Sequence, residues 1–259
     1  MNAKEILIYL SFLYKGNAET MLSHIRKKVE VNPREVEEFA RNVKEPFFTL
    51  LDSIYPEDWK QLFLPPLVTF YEGDISLLKH LERSVTFVGS RDASKEGLSL
   101  ARHFGKELAQ RNVTIVSGFA RGIDTEVMRG AMEGNGKIIG ISGAGIDVDY
   151  PSSSRDVYEY VRKRGLLLSE YPSGVAPKPE HFPRRNRMLA GTGKIVIVGE
   201  AEERSGSLIT VSIATNLGKD VGCLPSIPCK GSACNALIKD GAFLIDKVED
   251  ILSLLPTEK

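Results

Sequence analysis

The segment His181–Gly191, HFPRRNRMLAG, crowds Arg184, Arg185, Arg187, Asn186 and Phe182 into six consecutive residues. Arginines grip phosphate oxygens through paired N–H donors, and an aromatic ring offers a face on which a base can stack. Such a cluster is suited to a phosphorylated, base-bearing ligand. The competing reading is an exposed helix start whose charges are merely solvated. The whole chain has 34 basic and 34 acidic residues and a formal net charge of zero. Any polyanion site must therefore be a local patch.

Glycine turns supply a second set of candidate residues. Val85–Val88 runs into Gly89-Ser90-Arg91. Val113–Val116 runs into Ser117-Gly118-Phe119-Ala120-Arg121-Gly122. Lys137–Ile141 runs into Ser142-Gly143-Ala144-Gly145, and Lys194–Val198 leads through Gly199 to Ser205-Gly206-Ser207. Glycine lets a backbone approach a ligand closely. Serine hydroxyls and helix N-termini then donate to phosphate oxygens. Four such turns on one sheet edge, with Arg91 and Arg121 among them, point to an anion site.

Several enzyme signatures fail. Gly143-Ala144-Gly145 lacks the third glycine of a dinucleotide fingerprint, because position 148 is valine. Gly191-Thr192-Gly193-Lys194 is not a P-loop: Met188 stands six before the lysine, and Ile195 replaces the hydroxyl residue. No GxSxG elbow occurs. His24, His80, His103 and His181 show no paired metal spacing. His181 beside the basic cluster reads as a ligand contact or a structural residue. Neither a catalytic constellation, a metal site nor a cofactor is expected. A nucleotide-processing enzyme of a related Rossmann type, phosphoribohydrolase-like, is the alternative. It would need a catalytic acid, for which Glu170 and Glu200 are candidates, although both read better as partners for arginines.

The elements that must position these residues can be read from periodicity. Residues 1–64 read as helical, with Ile6, Leu7, Leu10 and Leu13 at helical spacing and Pro33 at a first turn. Pro65-Pro66 interrupts any helix, and an extended stretch, Leu67–Tyr71, follows. A small all-α N-terminal domain over 1–66 and a second domain over 67–259 are expected. From about residue 80, short apolar runs alternate with amphipathic helices. Leu166–Ser169, Val221–Leu224 and Phe243–Ile245 are further strand candidates. Leu98, Ala101, Gly105 and Leu108 share one helix face; Leu208, Val211, Ala214 and Leu217 share another. This pattern predicts a doubly wound, Rossmann-like, mostly parallel sheet, whose ligands bind at the carboxyl ends of the strands. Cys223, Cys229 and Cys234 are odd in number and lack CxxC spacing, so reduced thiols and a cytoplasmic location are expected. No run is long enough to insert in a membrane, and the N-terminus carries no signal-peptide pattern.

In order, Val88-Gly89-Ser90-Arg91, SGFARGID (117–124), Asp149-Tyr150-Pro151, Ser169-Glu170, FPRRNR (182–187), SGSLIT (205–210) and Asn235-Ala236-Leu237-Ile238 with Gly241-Ala242 resemble the DprA/Smf family of bacterial DNA-processing proteins. The resemblance spans about residues 65–250. It implies an extended Rossmann fold without turnover. It also implies binding of single-stranded DNA, its delivery to a RecA-type recombinase in natural transformation, and a homodimer. On this chain it implies a DNA site of Ser90, Arg91, Gly118, Arg121, Phe182, Arg184, Arg185, Asn186, Arg187, Ser205 and Ser207. Departures from the pattern are Val127-Met128 for Ala-His, Pro225-Ser226 for Pro-Gly, and Cys234 for glycine. The winged-helix domain that many members append is not expected, since the chain stops at Lys259.

Overall fold

The computed structural model describes residues 1–227 and 232–257. Three helices open the chain: α1 (Ala3–Leu13), α2 (Ala18–Arg26) and α3 (Pro33–Asn42). Each starts on an asparagine (Asn2, Asn17, Asn32) whose side chain accepts a backbone N–H of the first turn. Next come β1 (Phe47–Thr49), α4 (Glu57–Lys60) and β2 (Val68–Gly73). Strands and helices then alternate: β3 (Ser84–Val88), α5 (Lys95–Gln110), β4 (Thr114–Ser117), α6 (Ile123–Glu133), β5 (Ile138–Ser142), α7 (Arg155–Arg164), β6 (Leu166–Ser169) and α8 (His181–Thr192). The described chain closes with β7 (Ile195–Val198), α9 (Ser207–Asn216), β8 (Val221–Cys223), α10 (Ala233–Lys239), β9 (Phe243–Leu244) and α11 (Val248–Ser253).

The strands form one nine-stranded sheet in the order β1-β2-β6-β5-β4-β3-β7-β8-β9. From β6 to β9 every pairing is parallel; β1 and β2 are antiparallel additions at one edge. Successive side chains on a strand point to opposite faces, so each strand feeds two cores. Val85, Phe87, Ile115, Leu167, Ile195 and Ile197 join α1, α5, α6, α7 and α11 on one face. Val88, Val116, Ile139, Ile141, Val196 and Val198 join α4, α8, α9 and α10 on the other. The sheet is therefore doubly wound, as the apolar runs predicted.

One local expectation fails. The first 64 residues are not helical throughout, because Phe47–Thr49 is a strand registered on Val68–Phe70. Phe48 and Thr49 are buried there, and β-branched and aromatic side chains suit such a surface. The expected helix faces of α5 and α9 are inward: Ala101, Gly105, Leu108, Val211 and Ala214 are buried.

The winding order places the site. From β3 the chain winds outward through β4, β5 and β6, then crosses back to lay β7 on the other side of β3. Turns leaving β3 and β7 therefore diverge and leave a crevice at their carboxyl ends, where ligands of such sheets bind.

Candidate nucleic-acid interface

A cleft of about 390 Å³ occupies that crevice. Ser90 and Arg91 line it from the turn after β3, Arg204, Ser205 and Ser207 from the turn after β7, and Asn186 from α8. The turns brace one another. The Ser90 N–H donates to the Glu200 carbonyl at 2.6 Å, and the Ile123 N–H donates to the Ser90 carbonyl at 3.1 Å. Asn186 Nδ2 donates to the Gly206 carbonyl at 3.2 Å, tying α8 to the turn before α9. Ser205 and Ser207 hydroxyls lie 2.7 Å apart at the start of α9, where the helix dipole favours an anion.

Arg185 lies beneath this surface and is 3% exposed. Its Nη1 donates to the carbonyls of Gly118 and Ile141, joining the ends of β4 and β5. A Cβ on Gly118 would press on that guanidinium and force it to shift, so glycine here leaves room for Arg185. Beside Arg185 is Asp124, on the first turn of α6 and 4% exposed. Burial pushes its carboxyl up to about 6, against the opposing pull of the Arg185 charge and the N–H groups of Gly89 and Gly118. Burial likewise lowers Arg185 from its ordinary value.

A smaller pocket of about 150 Å³ adjoins the cleft and shares Arg91 with it. Gly118, Arg121, Tyr150 and Phe182 line it. The Tyr150 and Phe182 rings lie 5.7 Å apart, tilted by 35°. The Arg91 guanidinium sits 5.3 Å from the Phe182 ring centre. Exposed Arg121 has Asp92 at 3.7 Å as its ion-pair partner.

The expected basic wall is thus divided. An α-helix turns about 100° per residue, so consecutive arginines of α8 diverge. Arg185 and Asn186 face the cleft. Arg187 is buried on a different side, with Nη2 at 2.6 and 2.9 Å from the Glu170 carboxylate oxygens. Arg184 pairs with Glu19 of α2 at 2.8 Å. The candidate acids are also occupied. Glu170 holds Arg187 as expected. Glu200 holds no arginine: its carboxylate accepts from the Ser94 N–H at 2.9 Å and hydroxyl at 2.6 Å, at the start of α5.

His181 is buried and stacked 4.0 Å from Tyr171. Its Nδ1 lies 3.1 Å from the Gly143 carbonyl, which can only accept, so Nδ1 carries the proton. Cys223 and Cys234 are buried free thiols; Cys229 lies outside the described residues. Among the described residues no group of three or more His, Cys, Asp or Glu is placed to hold a metal ion. No helix there is long and apolar enough to cross a membrane.

Three residues of the cleft and its adjoining pocket escaped the sequence reading. Arg204 closes a charged run, Glu202-Glu203-Arg204, directly before Ser205. Asp124 and Tyr150 stand inside recognised motifs, and only the three-dimensional convergence gives them a place.

The family model described as DNA recombination-mediator protein A matches residues 46–256. DNA processing protein DprA of Streptococcus pneumoniae is 40% identical over 212 residues, covering 81% of this chain and 74% of that protein. Protein Smf of Escherichia coli is also 40% identical, over 193 residues, 73% of this chain and 51% of that protein. The chain spans 59% of the Synechocystis Smf protein, to which it is 35% identical over 89% of its own length. The X-ray structure of S. pneumoniae DprA superposes over 100% of both chains, with a TM-score of 0.81 and 32% identity. A Helicobacter pylori DprA structure described as showing a single-stranded DNA binding mode covers 81% of this chain and 95% of its own, with a TM-score of 0.72 and 26% identity. With the matched model spanning most of the sequence and both cores of the doubly wound sheet, the chain belongs to the DNA recombination-mediator protein A family, that of DprA and Smf.

Proposed function

We propose that the protein binds single-stranded DNA along the carboxyl edge of its sheet and acts as a recombination mediator. One observation carries the reading. The switch-point cleft, with Arg91, Arg204, Ser205 and Ser207, opens beside a pocket edged by Tyr150 and Phe182. Phosphates suit the first and an unstacked base suits the second. The H. pylori relative, whose structure is described as showing a single-stranded DNA binding mode, supports the same ligand class. Ser90, Arg91, Gly118, Arg121, Phe182, Asn186, Ser205 and Ser207 are assigned direct contact with the strand. Buried Arg185 and Arg187 hold α8 in place through the Gly118 and Ile141 carbonyls and the Glu170 carboxylate, while the partly exposed Arg184 pairs with Glu19 away from the cleft.

The family resemblance extends the reading to delivery of the strand to a RecA-type recombinase by a cytoplasmic homodimer. It also retains the division into a small N-terminal unit over 1–66, helical apart from β1, and a Rossmann-like unit beyond, with β1 lending a strand to the sheet of the second. The test of the site is Arg91→Ala. Exposed and without a structural hydrogen bond of its own here, Arg91 can be removed without unfolding. We expect about tenfold weaker binding of a thymidine oligonucleotide and an unchanged melting temperature. Unaltered affinity would exclude Arg91 from the interface.

A second reading has one observation in its favour: a carboxyl in the cleft wall, Asp124, raised to about 6. That is the kind of group a phosphoribohydrolase-like enzyme would use. Incubation with nucleoside monophosphates decides: no released base is expected, and turnover lost in Asp124→Asn would favour the enzyme.

A further inference from the structure

A second cavity, of about 510 Å³, lies on the far side of the α8 N-terminus, between the α1–α2 turn and the loop after β6. Adjacent residues of α8 serve different cavities. His181 and Arg184 line this one, Phe182 lines the aromatic pocket, and Arg185 and Asn186 line the switch-point cleft. The helix start is thus a ridge between two basins.

The second basin repeats the chemistry of the first. Four rings border it: Phe12, Tyr14, Tyr171 and His181. Tyr171 is 2% exposed, and its hydroxyl has no hydrogen-bond partner. Lys15 and Lys178 are exposed at the basin, and Arg184 completes the cations. The acidic groups facing them are Glu180 and Glu19, the latter already paired with Arg184. The wall is also held closely. Lys15 and Gly16 both have positive φ, of 50° and 74°, and a Cβ on Gly16 would sit 2.4 Å from the Glu170 carbonyl. Phe12, Tyr14 and Lys15 precede residue 46, where the family model begins. The basin therefore requires the N-terminal helices, to which no chemistry has been assigned so far.

We propose that this cavity is a second nucleotide-binding site, taking a base against its rings and a phosphate at Lys15 and Lys178. Its volume lies within the range of small-ligand pockets. The nucleotide is either a unit of a strand that crosses the ridge or a free mononucleotide. The strand form rests on the function proposed above.

Binding of dT20, dT6 and dTMP to the full chain separates these cases. The probe variant is Lys15→Glu with Lys178→Glu, two exposed positions. The control, Lys163→Glu with Lys239→Glu, has the same charge change at exposed lysines that line neither cavity. If the strand crosses the ridge, the probe variant loses about tenfold in dT20 affinity, keeps dT6 within about twofold, and the control keeps both. Loss of dTMP binding with unchanged dT20 affinity would assign the site to free nucleotides. Unchanged dT20 and dTMP binding in the folded probe variant would overturn the proposal. Should wild type bind neither oligonucleotide, the sheet-edge function fails instead, and the dTMP arm alone decides this cavity.

Discussion

Asp124 and Arg185 are both buried at the base of the cleft, where each feels the other's charge and each is shifted toward its neutral form by burial. The carboxyl matters for both stability and binding. Its native value is raised above 3.8 to about 6, so the native state keeps a proton that the unfolded chain releases. The stability it contributes is complete below about pH 3.8 and is lost as pH rises through about 6. Asp124→Asn should flatten the dependence of stability on pH across that window, as read by denaturant unfolding at pH 4 and pH 7. Binding follows the same charge. Asp124 lines the cleft, so above pH 6 its carboxylate would repel phosphates bound there under the proposed function. Oligonucleotide affinity should therefore rise on going from pH 7.5 to pH 5, and Asp124→Asn should remove most of that rise; an equal rise in the variant would place the titrating group elsewhere. The sequence named residues that line the cleft and its adjoining pocket, but not how α8 divides its arginines between faces. Arg185 and Arg187 look alike in FPRRNR, yet one supports two strand ends and the other is closed onto Glu170. That difference depends on helix phase and on what packs against each side, which short-range pattern does not carry.

At the scale of elements, α8 is the piece on which the site depends. Trp59 of α4 donates its indole N–H to the Met188 carbonyl at 3.3 Å and the Thr192 hydroxyl at 3.1 Å, fixing the C-terminal half of the helix. Trp59→Phe loses the donor and, at a fully buried position, part of the packing, so a loss of about 2–4 kcal/mol in urea unfolding is expected. Glu170→Ala leaves Arg187 buried without its carboxylate. It should cost about 3–5 kcal/mol and weaken DNA binding only through misplacement of α8. A Glu170→Ala variant with wild-type stability would contradict this role. The parallel strands β3 to β8 were legible as apolar runs between helices, because burial on both faces leaves no alternation to misread; the two-residue β9 lies exposed at the sheet edge and showed only as a short apolar run. The three-residue β1 was not legible, since so short an element gains its identity from its partner β2.

For the whole molecule, the proposed binding of a polyanion by a chain of zero net charge calls for a local arrangement. The doubly wound sheet provides it by reversing its winding beside β3, which collects turns from distant parts of the sequence on one edge. That convergence was predictable from strand order alone. The contribution of the N-terminal helices was not, because their cavity exists only where the α1–α2 turn meets the loop after β6. The most direct test of the central claim is an ionic-strength series of binding to single- and double-stranded oligonucleotides. Tighter binding of the single strand is expected, since its free bases can enter the aromatic pocket. Affinity is also expected to fall linearly with salt on logarithmic axes, with a slope reduced by about one when Arg91 is replaced by alanine. Affinity that ignores salt, or equal affinity for both forms, would contradict that claim.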